Sequence, residues 1–166
     1  MQAQSKLEFN LDEYISLIKE VTQSGGEFRL FPKGTSMMPL LRQGRDSVGL
    51  VELPIKLKKH DIILYKRKNG QFVLHRIIKI NNNGELLLCG DNQTNIESDI
   101  YQDDVLALVS CVYRGEKRYD VTKKRMKIYE TVWCFMPFRK TVFFFRKFCV
   151  KVRNFCVRST KGNSAK

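Results

Sequence analysis

Apolar positions near the start of the chain recur with the period of an α-helix. They place five side chains on one face of residues 11–24: Leu11, Tyr14, Ile15, Ile18 and Val21. This spacing predicts an amphipathic helix, which Asn10 is placed to begin and Gly25 to end. Because a helix this short is rarely stable alone, we expect residues 1–26 to pack on the rest of the protein.

Between residues 27 and 122 the pattern changes to short runs of β-forming residues separated by turn residues. Six strands are predicted: Phe28–Phe31, Ser47–Leu53, Asp61–Arg67, Phe72–Ile80, Glu85–Cys89 and Val105–Tyr113. The turn sequence at 81–84 predicts a hairpin between the fourth and fifth strands. Since helices do not alternate with the strands, a parallel sheet is not expected. The pattern predicts a mainly β, α+β fold with an antiparallel body.

The last part of the chain, residues 123–166, returns to a helical pattern. One helix is predicted around Met126–Phe135 and a second after Pro137. In the second helix, apolar side chains share the side of Phe145: Phe144, Phe148, Cys149, Val152, Phe155 and Cys156. Basic side chains take the opposite side: Arg139, Lys140, Lys147, Lys151, Arg153 and Arg158. The pattern predicts a basic amphipathic helical tail.

Charge divides the chain at the same point. Residues 1–122 hold 17 Lys and Arg against 16 Asp and Glu, whereas residues 123–166 hold 13 against the single acid Glu130. This asymmetry predicts one of two arrangements. Residues 123–158 dock on an anionic membrane surface, or the tail packs on the body with its charges in water. A third alternative is an acidic peptide or nucleic acid. Nucleic acid is the least favoured, because no known nucleic-acid-binding module is recognisable.

Cysteine usage and hydropathy bear on cofactors and location. The five cysteines form no C-x-x-C pair, so we expect reduced thiols, with no disulfide framework, metal site or other cofactor. The polar N-terminus has no signal-peptide pattern, and no apolar run reaches the ~18 residues of an ordinary transmembrane helix. The expected location is the cytoplasm or the periphery of the cytoplasmic membrane.

Two residues can supply nucleophilic chemistry. Ser36 follows a predicted strand at a turn, where a hydroxyl is exposed and nearby N–H groups are free to hold an oxyanion. The ordinary role of a serine at such a place is to cap the turn, but it becomes a nucleophile when a base takes its proton. His75 lies within an apolar strand and is either that base or a core histidine. The other histidine, His60, is expected in an exposed loop.

A base of this kind is usually oriented by an acid. Three acids are candidates for that role: Asp91, Glu97 and Asp99. Asp91 follows a strand, where an Asx-turn is its alternative role. The spacing along the chain does not choose among the three.

Together these residues resemble the type I signal peptidases. The similar segments are Gly34-Thr-Ser-Met-Met-Pro39, Asp61-Ile-Ile-Leu-Tyr65, Val73-Leu-His-Arg-Ile77 and Gly90-Asp-Asn92, within about residues 27–112. The resemblance implies that Ser36 is the nucleophile. It also places His75 where common bacterial enzymes have lysine, and where the endoplasmic-reticulum and related prokaryotic enzymes have histidine. The chain therefore resembles the Ser/His branch.

The resemblance implies a serine endopeptidase that cuts an extended peptide or leader through an acyl-enzyme. Substrate and oxyanion contacts are expected at Gly34, Thr35, Met37 and Pro39. The implied third member is an acid slightly downstream of the Gly-Asp-Asn segment, at about Glu97 or Asp99. The alternative is a catalytically inactive module of the same fold that binds a peptide or docks at a membrane.

Overall fold

The computed structural model describes residues 11–145 and residue 149. Helix α1 spans Leu11–Gln23, helix α2 spans Lys124–Trp133, and helix α3 is described over 136–145. A 3₁₀ turn at Gln102–Asp104 precedes the longest strand. The strands are β1 (Phe28–Leu30), β2 (Asp46–Val51), β3 (Ile62–Lys66), β4 (Phe72–Ile80), β5 (Leu86–Cys89), β6 (Glu97–Ile100), β7 (Val105–Arg114) and β8 (Lys117–Asp120).

All eight strands belong to one antiparallel sheet in the order β1-β2-β7-β3-β4-β5-β6, with β8 also paired to β7. Strand β7 pairs with β2 along one side, and with β3 and then β8 along the other. The mainly β, α+β prediction is confirmed. The six predicted strands are found with ends shifted by at most two residues, and the predicted hairpin is the β4–β5 pair.

Two strands were missed because their sequences carry no apolar alternation. Strand β6 reads Glu-Ser-Asp-Ile and strand β8 reads Lys-Arg-Tyr-Asp, and most of their side chains are not buried. Both lie at margins of the sheet, where pairing rather than burial holds a strand in place. Pattern-based prediction depends on burial and therefore fails there.

Strand β3 separates two apolar cores, because its successive side chains point to opposite faces. Ile62 and Leu64 belong to the first core, and Ile63 and Tyr65 to the second. Both faces are covered, which explains the unbroken apolar run Ile-Ile-Leu-Tyr. Ile18 of α1 is buried in the first core, so the N-terminal helix packs on the sheet.

Glu27, which directly precedes β1, links that strand to β7 and β8 through its carboxylate. Its carboxylate accepts hydrogen bonds from Ser110 at 2.6 Å, Tyr113 at 2.6 Å and Arg118 at 2.9 Å. Burial alone would raise the pKa of Glu27, but these donors outweigh it and lower that pKa to about 2. Glu27 thus stabilises the β1–β7–β8 region only while it is ionised.

The C-terminal helices pack on the body, and one predicted orientation is wrong. Arg139, predicted to lie on the water-facing basic side, is fully buried, while Phe144 and Phe145 are 67% and 59% exposed. The reason is that α3 faces main-chain carbonyl groups, which a guanidinium satisfies and an apolar side chain does not. The rest of the predicted tail helix, 146–148 and 150–166, lies outside the described residues. Within the described part, no helix has the length and apolar character needed to cross a membrane.

Candidate active site

Strand register brings Tyr65 to His75. In the β3–β4 pair, His75 lies opposite Ile63 and Val73 lies opposite Tyr65. Tyr65 and His75 are therefore diagonal neighbours on one face of the sheet, a separation that aromatic side chains can bridge. The Tyr65 hydroxyl lies 3.2 Å from Nδ1 of His75.

Register also brings Glu97 to that face. Ile77 of β4 pairs with Leu88 of β5, and Leu88 pairs with Glu97 of β6. Side chains that are paired across strands share a face, and Ile77 shares its face with His75, two residues away. Oε1 of Glu97 lies 3.2 Å from Nδ1 of His75. Of the three candidate acids, the structure brings Glu97 to the histidine.

The three groups define which nitrogen of His75 carries the proton. The Tyr65 hydroxyl donates to Oε2 of Glu97 at 2.7 Å, so its oxygen presents only lone pairs to Nδ1. Nδ1 thus faces two acceptors, the Tyr65 oxygen and Glu97 Oε1. We assign the proton to Nδ1, because a bare nitrogen there would oppose two lone pairs. Nε2 is then left as the acceptor that a general base requires.

Glu97 is held ionised by a second partner, Arg67. The guanidinium donates from Nε to Oε2 at 2.8 Å and from its second terminal nitrogen to Oε1. Burial would raise the pKa of Glu97, but the bonds from Arg67 and Tyr65 outweigh it and lower that pKa. Burial and the neighbouring carboxylate raise the pKa of Tyr65. Near neutral pH the pair is therefore an anion and a neutral phenol.

His75 itself is buried and neutral. Burial lowers its pKa, the charge of Glu97 opposes that shift, and the charge of Arg67 adds to it. Its Nε2 is buried and has no hydrogen-bond partner among the described residues. An unpartnered buried acceptor is costly, and a bare imidazole nitrogen beside a cavity can accept a proton from a bound reactant.

Ser36 and His75 line one cavity of about 260 Å³. No hydrogen bond joins the two side chains, and the Ser36 hydroxyl bonds to no described residue. Their closeness is visible at Gly90, where an added Cβ would lie 2.7 Å from the Ser36 carbonyl oxygen and 3.0 Å from His75 Nε2. The same carbonyl accepts a 2.7 Å hydrogen bond from the amide of Asn92. The Gly-Asp-Asn segment thus holds the serine turn against the histidine.

The four predicted substrate and oxyanion residues differ in their surroundings. Gly34 lines the cavity, but its amide donates to Oε1 of Gln43 at 2.6 Å and is not free for an oxyanion. Met37 is buried in the first core and also lines the cavity. Thr35 and Pro39 are exposed beside the turn. The amides of Ser36 and Met37 donate to no acceptor within the described residues, so both are available as oxyanion donors.

Asp91 has a different task. Arg76 grips its carboxylate through two hydrogen bonds of 3.0 and 2.9 Å, and both side chains are buried. The Tyr129 hydroxyl donates to the same carboxylate at 2.9 Å, and Trp133 donates to the Asp91 carbonyl at 2.7 Å. Asp91 therefore anchors helix α2. No hydrogen bond or ion pair within the described residues joins it to His75, although its charge raises the pKa of that histidine.

Asp99 is an exposed residue with φ of +63° and forms an ion pair with Lys68. No ion pair or hydrogen bond within residues 11–145 joins it to His75. His60, expected in an exposed loop, is instead partly buried, and its carbonyl accepts a 3.0 Å bond from Arg76. Neither residue contributes to the group around His75.

Arg139 of helix α3 holds the loop that carries Gly90 through hydrogen bonds to its main-chain carbonyl groups. It donates to the Gly90 carbonyl at 3.0 Å and to the Gln93 carbonyl at 3.2 Å. Sequence reasoning missed Arg139 and Arg67, because each acts through a partner distant along the chain. Tyr65 ends the segment Asp61–Tyr65, one of those that resemble the type I signal peptidases. A buried tyrosine hydroxyl needs a hydrogen-bond partner, and its place at the end of an apolar run was the sequence feature that could have identified it.

The described residues contain no group of His, Cys, Asp and Glu arranged to hold a metal ion. Cys89, Cys111, Cys134 and Cys149 are free thiols. No protein-family model matches the chain, and comparison with curated proteins and with solved structures finds no match either.

Proposed function

We propose that the chain is a serine endopeptidase of the signal peptidase-like kind, with Ser36 as nucleophile, His75 as general base and Glu97 as the orienting acid. One observation carries the proposal. Tyr65 and Glu97 engage Nδ1 of His75, which leaves Nε2 bare and buried beside the cavity that Ser36 lines. This arrangement has the order of roles found in acyl-transfer sites: nucleophile, base and acid.

In the first half of the reaction, Oγ of Ser36 attacks the carbonyl carbon of the scissile peptide bond while its proton passes to Nε2 of His75. Glu97 stabilises the imidazolium that forms, and the Ser36 and Met37 amides hold the oxyanion. The C–N bond then breaks, and the departing amine takes the proton from Nε2. The product is an ester between the substrate acyl group and Ser36.

In the second half, water attacks the ester carbonyl and gives a proton to Nε2 of His75. The bond to Oγ breaks, the proton returns to Ser36, and a carboxylic acid leaves. The hydrogen bond between Ser36 and His75 forms when substrate fills the cavity, since catalytic hydrogen bonds often tighten only in the complex.

The substrate would bind as an added strand. Residues 72–74 of β4 pair with β3 on one side, whereas β5 pairs only with residues 76–80 on the other. The unpaired edge of 72–74 borders the cavity, which Phe72, Val73 and Leu74 line together with Pro32 and Lys33. An extended peptide can bond to such an edge through its main chain.

A fluorophosphonate probe tests the proposal, because it phosphonylates a serine hydroxyl that a neighbouring base has activated. We expect labelling at Ser36, identified by peptide mass spectrometry, and loss of labelling in S36A and H75A. The matched control is Ser98→Ala, which removes an exposed serine on β6. Labelling that persists in S36A, or that H75A leaves unchanged, would contradict the mechanism.

A second candidate is a catalytically inactive peptide-binding module of the same fold. The observation in its favour is the missing hydrogen bond between Ser36 and His75 in the unliganded cavity. Such a module would bind extended peptides with the same affinity in the wild type and in S36A, and would not react with the probe.

A further inference from the structure

Helix α2 carries exposed apolar side chains in addition to those that it packs on the body. Met126 and Tyr129 pack against the first core, and Trp133 stacks on Tyr129 with ring centroids 6.0 Å apart. To one side of this packed face, Ile128 is 65% exposed and Val132 is 48% exposed. These two are four residues apart and therefore adjacent on the helix surface. A helix packed on a soluble body ordinarily exposes a polar face instead.

Helix α3 repeats this arrangement. Arg139 is buried on its inner face, whereas Phe144 and Phe145 are 67% and 59% exposed. Phe138 packs edge-on against Trp133, with ring centroids 6.4 Å apart, and is still 42% exposed. Phe135, Phe138, Phe144 and Phe145 are all exposed. We call these four side chains, with Ile128 and Val132, the apolar ridge.

The charges around the ridge have one sign. Lys124, Arg125 and Lys140 are exposed and have no acidic partner among the described residues. Glu130, the only acid in 123–145, is 5% exposed and forms ion pairs with Arg76 at 3.6 Å and Lys127 at 3.0 Å. The exposed surface of α2 and α3 thus combines large apolar side chains with uncompensated cations.

We propose that the apolar ridge docks on the surface of an anionic lipid bilayer. Apolar side chains enter the headgroup region of a bilayer, and flanking Lys and Arg are attracted to acidic lipids. A protein partner would not require this excess of cations, whereas an anionic bilayer matches both features. This inference is independent of the proposed peptidase function.

Docking has a geometric consequence for the loop that carries Gly90 and Asp91. The inner faces of the same two helices hold Gly90 and Asp91, through Arg139, Tyr129 and Trp133. Only the thickness of a helix, ~10 Å, separates that loop from the ridge. Docking therefore holds the candidate active site close to the bilayer surface.

The test is sedimentation of the full-length S36A protein with vesicles, so that catalysis plays no part. We expect binding to phosphatidylcholine vesicles containing 30% phosphatidylglycerol, and at least tenfold weaker binding to pure phosphatidylcholine. F144S/F145S should lower the partition coefficient at least tenfold, because these two side chains are exposed and no ring contact in the described part of the chain joins them to Trp133. Ile55→Ser is the control, because Ile55 is fully exposed on the body.

A second pair of variants shows whether binding depends on the cations beside the ridge or only on the net charge of the protein. K124Q/R125Q/K140Q should bind anionic vesicles at least tenfold more weakly than K56Q/K79Q/K117Q, which loses the same charge from the body. Equal loss in both triple variants would overturn the proposal, as would equal binding to the two kinds of vesicle. Binding of F144S/F145S to anionic vesicles with the affinity of the wild type would overturn it too. A failure to bind anionic vesicles at any protein concentration would also overturn it. That result is expected if residues 146–166 or a second copy of the chain cover the ridge.

Discussion

Oε1 of Glu97 lies 3.2 Å from Nδ1 of His75. The contact depends on three consecutive strand pairings, β3–β4, β4–β5 and β5–β6, which place Tyr65, His75 and Glu97 on one face of the sheet. A shift of one residue in any of these registers would turn one of the three side chains to the opposite face.

The first prediction concerns the acid. Glu97→Gln should slow fluorophosphonate labelling of Ser36 about a hundredfold to ten-thousandfold, because a neutral amide neither fixes the Nδ1–H tautomer nor stabilises the imidazolium. Asp99→Asn is the control and should stay within about twofold of the wild type, as Asp99 contacts Lys68 rather than His75. A larger effect at Asp99 than at Glu97 would reverse our assignment.

The second prediction concerns Tyr65. Tyr65→Phe removes one hydrogen bond to Glu97 and an acceptor for Nδ1, and a hydrogen bond to a charged group is worth roughly 1.5–3 kcal/mol. Labelling should therefore slow about tenfold or more, with an unchanged far-UV circular dichroism spectrum. A wild-type rate would show that Arg67 alone positions Glu97.

The third prediction is the pH dependence of labelling. Burial lowers the pKa of His75, so the base form persists below the usual His value of about 6.5. The labelling rate should fall only as pH drops through that lowered pKa. In Glu97→Gln the midpoint should move lower still, because loss of the carboxylate charge disfavours the imidazolium. A midpoint above 6.5 in the wild type would contradict a buried, neutral base.

The fourth prediction separates structure from chemistry at Asp91. Asp91→Ala leaves the buried Arg76 guanidinium without its carboxylate and should cost about 3–5 kcal/mol of unfolding free energy. The measurement is urea denaturation, with Asp103→Ala as the control, because Asp103 is exposed and no positive φ strains an alanine there. If Asp91→Ala kept full stability but lost labelling, Asp91 rather than Glu97 would be the catalytic acid.

The fifth prediction concerns acid stability through Glu27. Its folded pKa of about 2 lies below the ordinary value of 4.5. The stabilisation is therefore complete above about pH 4.5 and is lost as pH falls toward 2. Glu27→Gln should be less stable than the wild type at pH 7, and the difference should shrink between pH 4.5 and pH 2. Urea midpoints at pH 3 and pH 7 measure it, and a constant difference would refute the assignment.

Much of the fold could be predicted from the sequence, because the buried strands carry apolar runs that end at turn residues. The strands β6 and β8 could not, since their side chains are mostly polar and pairing holds them in the sheet. The orientation of Arg139 was also out of reach. Helical periodicity separates polar from apolar sides, but it does not reveal that the body offers carbonyl groups to α3.

The candidate site was predictable in its residue types but not in its pairings. Ser36 and His75 were singled out from local context, and both line one cavity. The choice among Asp91, Glu97 and Asp99 required strand register, which a single sequence does not specify. Asp91 occupies the most conspicuous turn, yet its carboxylate is held by Arg76 and Tyr129.

In the proposed peptidase, the unpaired stretch of β4 at 72–74 limits what can serve as a substrate. A partner that adds a strand there must offer several consecutive main-chain groups that are not already committed to its own helices or sheets. A fully folded polypeptide has few such stretches, whereas a nascent or locally unfolded one has many. The cleavage rate would then depend more on the fraction of time for which a segment of the substrate is unfolded than on the amino-acid sequence of that segment.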